Sequence, residues 1–137
     1  MNADPKSTLI RRVLAVNAAT SAACAAAFLV AARPLGALLG CTPGFLYAFG
    51  AALLAFAVHL ALVARKPAVS PGEALYFAFC DAAYVAGSAI VLLGWPHLLS
   101  GSGRLFFALV ADLVALFCIL EFVGYRRLTR ARQVAMA

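Results

Sequence analysis

An all-α, four-transmembrane-helix bundle is the fold class this sequence predicts, and three observations predict it. First, 66% of its 137 residues are hydrophobic and 12% are charged. Soluble domains carry about 25% charged residues and roughly half apolar ones. A chain this short also leaves much of its surface exposed, so its apolar excess suits lipid rather than water. Second, four apolar runs reach the roughly 20 residues needed to cross about 30 Å of hydrocarbon. Third, the basic residues gather just outside those runs.

The first span is read at 13–32, behind Lys6, Arg11 and Arg12. Ala15, Ala19, Ala23 and Ala27 recur every four residues, with Ala18, Ala22 and Ala26 beside them. Small residues at that spacing let backbones approach closely, which predicts a central helix, in the bundle or at a subunit interface. A cleaved signal peptide is the rival reading. Its apolar run should be about 7–15 residues, and this one is longer and holds Asn17. A lipoprotein reading of "TSAAC" at Cys24 lacks the usual Leu three residues ahead.

The segment "PLGALLGCTPG" is read as a short interfacial turn on the outer side, because Pro and Gly clusters end helices. The second span follows at 45–64, closed by "RKPAVSPGE". In that loop Ser70 is an N-cap candidate, with Pro71 next and Glu73 at the third position. The third span is read at 74–94, ended by "GWPHLLSGSGR". The fourth is read at 105–125, followed by "RRLTRARQVAMA" as a fraying helical end. Gly50 and Gly87 are candidate close-packing points in the second and third spans. Trp95, Tyr47 and Tyr125 fall at expected interfaces and read as aromatic anchors. A single membrane domain over 1–137 results.

Orientation follows from Lys and Arg. Nine lie in the N-terminal tail 1–12, the middle loop and the C-terminal tail 126–137: Lys6, Arg11, Arg12, Arg65, Lys66, Arg126, Arg127, Arg130 and Arg132. Two, Arg33 and Arg104, lie in the other loops. The imbalance predicts both termini in the cytoplasm of a bacterial inner membrane. The net charge of +6 is thus spent at lipid headgroups, and nucleic acid is not an expected partner. Cys24, Cys41, Cys80 and Cys118 show no metal or redox spacing and read as packing thiols.

Ionisable residues inside the spans carry what functional signal there is. Asp costs about 2.5–3.5 kcal/mol at a helix centre, so such residues face a partner or a wet cavity. Asn17, His59, Asp81 and Glu121 each lie roughly 7–11 Å from the basic end of their span at 1.5 Å per residue. One polar residue per helix at similar depth predicts at least partial convergence. Asp81, Tyr84 and Ser88 share one face of the third span, as Asn17, Ser21 and Cys24 do on the first. Asp112 stands apart. It precedes Glu121 by nine residues, two and a half turns, so the two point to opposite faces. His59, Asp81 and Glu121 are a possible metal-ligand set if they meet, but the Glu-x-x-His pairs of helical metal sites are missing. No metal, cofactor or catalytic residue is expected.

The stretches "TPGFLYAFGAALLAFAVHLALVARKP", "CDAAYVAGS" and "LVALFCILEFVGYRR" resemble a group of small bacterial four-span membrane proteins of unassigned function. The resemblance implies the architecture and no activity. Where that group has Asn in the third helix this chain has Asp81.

Three functional readings follow. The leading one is a non-enzymatic membrane protein acting by self-association, as a homo-oligomer, or as an accessory subunit of a larger membrane complex. The alternative is proton- or cation-coupled transport of a small solute through an intramembrane carboxylate. The third is a membrane-embedded metal or redox enzyme.

Overall fold

The computed structural model describes residues 5–136, with side chains for 8–131, Gln133 and Val134. Lys6 and Arg132, two of the flanking cations, lie outside the described side chains. The described residues form five α-helices: α1 (Pro5–Val30), α2 (Ala32–Leu39), α3 (Pro43–Ala64), α4 (Pro71–Gly94) and α5 (Gly101–Met136). A 3-10 turn at Pro96–Leu98 precedes α5, and no strand occurs among the described residues. Four stretches are long and apolar enough to cross a membrane: Thr8–Val30, Pro43–Ala64, Pro71–Gly94 and Gly101–Ala131.

Helix starts follow from the local sequence. The Thr42 hydroxyl accepts from the Phe45 amide at 3.2 Å, with Pro43 opening α3. At α4 the Ser70 hydroxyl accepts from the Glu73 amide at 3.2 Å, and the Glu73 carboxylate accepts from the Ser70 amide at 2.9 Å. This is the reciprocal cap that satisfies two otherwise orphaned donors.

Two expectations about boundaries are corrected. The N-terminal basic segment is helical, α1 starting at Pro5, ahead of Arg11 and Arg12; the C-terminal one, expected as a helical end, does continue α5 through Arg126 and Arg127 to Met136. Hydropathy marks where lipid ends, whereas arginine is a good helix former that carries the helix onward. The segment expected as a turn contains α2, with Ala32, Gly36 and Leu39 buried along one face. Pro34 sits in the first turn of α2, where its missing N–H breaks no bond.

The helices pair as two hairpins, α1 on α3 and α4 on α5, with α1 also meeting α5. One end of the bundle gathers Arg11, Arg12, Arg65, Lys66 and Arg126 and is called the basic end. There Ile10, Leu14, Leu60, Val63 and Phe77 form an apolar cluster. A Cβ at Gly124 would come within 2.8 Å of Ile10, so α1 and α5 lie very close. Arg11 Nε donates to the Ala64 carbonyl at 3.0 Å, occupying a free acceptor at the end of α3. Lys66 and Glu73 form an ion pair across the middle loop.

Backbone contact closes the opposite end. Gly40 caps α2 at φ 80°, in the left-handed region that glycine tolerates. The Ser100 amide donates to the Leu39 carbonyl at 3.0 Å. A Cβ at Gly103 would stand 2.1 Å from that same oxygen, so only glycine admits the approach of α5 to α2. Phe28, Ala32, Leu39 and Leu46 form the second apolar cluster.

Outside the bundle the surface is apolar: Val30 is 88% exposed, Leu93 85% and Phe79 70%. With oil on both sides of such residues no hydrophobic drive presses the helices together, and close packing with interhelical hydrogen bonds holds them. The alanine stripe is therefore informative. Ala15, Ala19, Ala23 and Ala27 are all exposed, whereas Ala18 and Ala25 face inward. The stripe does not pack within the chain, because Leu14, Asn17, Ala18 and Phe28 occupy the core-facing side of α1. Gly50 does pack closely, its Cβ position lying 3.3 Å from the Ala25 carbonyl; Gly87 faces open space. Trp95 and Tyr47 are exposed, while Tyr125 packs against the basic-end cluster.

Candidate functional site

Asn17 on α1, Asp81 on α4 and Glu121 on α5 meet in the bundle interior. The Asn17 side-chain nitrogen donates both its protons, to Asp81 Oδ2 at 2.9 Å and to Glu121 Oε1 at 3.1 Å. Its own carbonyl oxygen accepts from the Ser21 hydroxyl at 3.2 Å. Asn17 is 2% exposed, Asp81 3% and Glu121 0%. The helical period brings this about. Asn17 and Ser21 lie one turn apart on the inward face of α1, and Asp81 follows Phe77 and Ala78 on the buried face of α4. Close packing of α1 on α5 at Gly124 then carries Glu121 to within reach of Asn17.

Two carboxyl groups thus share one amide nitrogen, and Glu121 Oε2 is buried with no hydrogen-bond partner. Among the described residues the only side-chain ion pair is Lys66–Glu73, so no described cation neutralises either group. A charge buried in a low-dielectric interior costs several kcal/mol per ion unless compensated. Ionising both groups together without a compensating charge is therefore costly. Among the described residues no group of three or more His, Cys, Asp and Glu is placed to hold a metal ion.

A cavity of about 240 Å³ adjoins the cluster. Asn17, Thr20, Ser21 and Asp81 contribute polar groups to it, and Phe28, Phe49, Phe56, Phe106 and Phe117 are among its walls. Tyr84 and Phe49, their rings stacked with centroids 6.2 Å apart, line both this cavity and a second one of about 290 Å³. The second cavity runs past Ser88, Val91 and Phe107 toward Leu99, near the opposite end. The two spaces thus share an aromatic pair in their linings.

Of the four residues expected to converge, three do and His59 does not. His59 is exposed, with its ring against Phe77 (centroids 5.0 Å apart) and Tyr76 (5.6 Å). Leu60, Ala57 and Val63 take the inward face of α3, which turns His59 to the seam with α4. The face shared by Asp81, Tyr84 and Ser88 does look inward, Tyr84 being half-buried. Asp112 is exposed on the outer face of α5, opposite Glu121.

The four cysteines are free thiols, each half-buried. Cys118 Sγ donates to the Ala78 carbonyl at 3.3 Å, and Cys24 and Cys80 line the central cavity. The aromatic wall escaped the sequence reading. Phenylalanine at helical spacing looks the same whether it fills a core or borders a void, and only the relative placement of two hairpins decides. Comparison with protein-family models, with curated proteins and with solved structures finds no match, so a functional reading has to rest on this geometry.

Proposed function

We propose that this chain is a membrane transporter or carrier that exchanges a proton or monovalent cation at the Asn17–Asp81–Glu121 cluster and couples that exchange to a small solute held in the adjoining cavity. The observation that carries the reading is the pair of carboxyl groups buried on one amide donor with a polar atom of Glu121 left unpartnered. A structural glue would need only one carboxamide bond; two carboxyl groups together need a mobile compensating charge. Two neighbouring spaces that share Phe49 and Tyr84, one beside the cluster and one reaching Leu99, support a route toward the opposite end. The excess of Lys and Arg at the basic end supports an orientation with both termini in the cytoplasm of a bacterial inner membrane.

Infrared titration of the purified protein in lipid nanodiscs tests it. A carbonyl band from a protonated carboxyl should appear and vanish with pH. That band should be altered in Asp81→Asn and in Glu121→Gln and retained in Asp112→Asn. A spectrum indifferent to both cluster substitutions would sink the reading.

A second reading, self-association or service as an accessory subunit, is favoured by the outward alanine stripe and by the exposed Asp112. Disulfide crosslinking of Ala19→Cys and Ala23→Cys variants in native membranes should then yield a dimer. No crosslink at either position would remove an α1-mediated pair.

A further inference from the structure

We infer that the solute taken by the central cavity is an organic ammonium ion carrying a single aromatic ring or an apolar body of that size; this rests on the reading of the cluster as an exchange site. Charge gives the sign. Asp81 is the only ionisable carboxyl group on the wall, and no Lys, Arg or His lines the cavity, so a cation is attracted and an anion repelled. The wall gives the body. Phe28, Phe49, Phe56, Phe106 and Phe117 line a space that aliphatic side chains such as Leu53, Val110 and Val114 also border. A cation beside aromatic faces gains about 0.5–2 kcal/mol beyond its ion contact. Volume sets a minimum. An enclosed apolar cavity of about 150 Å³ admits benzene, and the 240 Å³ here, open on one side, therefore has room for one ring with a short aminoalkyl arm.

The arrangement also orients the guest. Asp81 and Asn17 lie at the wall that adjoins Glu121, while Phe28 and Phe106, centroids 6.0 Å apart, lie away from it. An ammonium therefore docks at Asp81 with its ring among the phenylalanines. Its arrival supplies the positive charge that the carboxyl pair otherwise takes as a proton, so binding releases that proton to solvent. The solute and the proton compete for one position.

Calorimetry on the full chain in nanodiscs, with three probes of one shape, tests this: phenethylammonium, neutral 2-phenylethanol and anionic phenylacetate. The ammonium should bind about 10-fold more tightly than the alcohol, the ratio worth 1.4 kcal/mol, and release protons in proportion. Asp81→Asn should abolish that preference while leaving the alcohol unaffected, which also reports that the variant is folded.

A measurement on the unaltered chain guards against a variant that fails to fold. Phenethylammonium should protect Cys24 and Cys80, which line the cavity, from a small alkylating reagent, and leave Cys41 and Cys118 reacting as before. Equal affinity for ammonium and alcohol, preference for the anion, or no protection of Cys24 and Cys80 would each overturn the assignment. Ammonium binding with an infrared spectrum indifferent to pH would instead sink the exchange reading and keep the ligand class.

Discussion

Two carboxylates on one helix make the most instructive comparison in this molecule. Glu121 and Asp112 both belong to α5, and both interrupt an apolar run. Glu121 is fully buried and accepts from Asn17 on another helix. Asp112, two and a half turns earlier, is exposed on a face it shares with Leu105, Leu109, Leu116 and Ile119. The helical period alone separates them. Glu121 has a partner inside the chain and a neighbouring carboxyl group that raises the cost of its charge. Asp112 has outward-facing apolar neighbours and, among the described residues, no hydrogen bond or ion pair within the chain. The same residue chemistry thus serves an interior site on one face and leaves an unmet demand on the other.

The largest expected effect separates insertion from folding. Asp112→Leu should favour membrane insertion of the fourth span by about 3 kcal/mol on the insertion scale, measured by the fraction of a glycosylation-tagged segment that integrates. Bundle stability should stay within about 0.5 kcal/mol, as for exposed substitutions generally, because Asp112 faces outward in the folded chain. Glu121→Leu should help insertion similarly but weaken the bundle. If Asp112→Leu also destabilised the bundle, Asp112 would have a partner that this comparison denies it.

Next in size is the loss of the shared donor. Asn17→Leu breaks both bonds to the carboxyl groups and strands two buried acceptors. Interhelical hydrogen bonds in membranes average about 0.6 kcal/mol and reach about 2, and an unsatisfied buried polar group costs about 1–3 kcal/mol. A loss of roughly 1–3 kcal/mol of unfolding free energy is expected, read by denaturation in bicelles. Ser21→Ala, which removes only the bond that steadies Asn17, should cost about 0.6 kcal/mol. A cost for Ser21→Ala equal to that of Asn17→Leu would mean that Asn17 is held rather than holding.

The comparison also marks what a sequence can reveal here. Spans, the Ser70–Glu73 cap and the opposed faces of Asp112 and Glu121 depend on hydropathy and on the helical period, and both are local. The meeting of Asn17, Asp81 and Glu121 was legible because equal depth is a strong constraint when every helix runs the same course through one slab. Rotation about each helix axis was not legible in the same way. An alanine stripe can face a neighbour or lipid with equal ease, and α1 turns its stripe outward because bulkier Leu14 and Phe28 fill the core. The helical extension at the N-terminal basic end was hidden for a related reason: lipid boundaries and helix boundaries need not coincide.

His59 provides the finest test. It lies at the same depth as the cluster yet on the wrong side of α3, and its contacts are ring contacts with Phe77 and Tyr76. His59→Phe keeps a ring in that seam and removes a polar group from an exposed position, so stability should move by no more than about 0.5 kcal/mol. His59→Ala, which loses the ring, should cost about 0.5–1.5 kcal/mol. The difference between the two variants isolates packing from polarity. Should His59→Phe instead alter the infrared titration of the carboxyl pair, the imidazole would be exchanging protons with the cluster. Depth, rather than facing, would then be what defines the site.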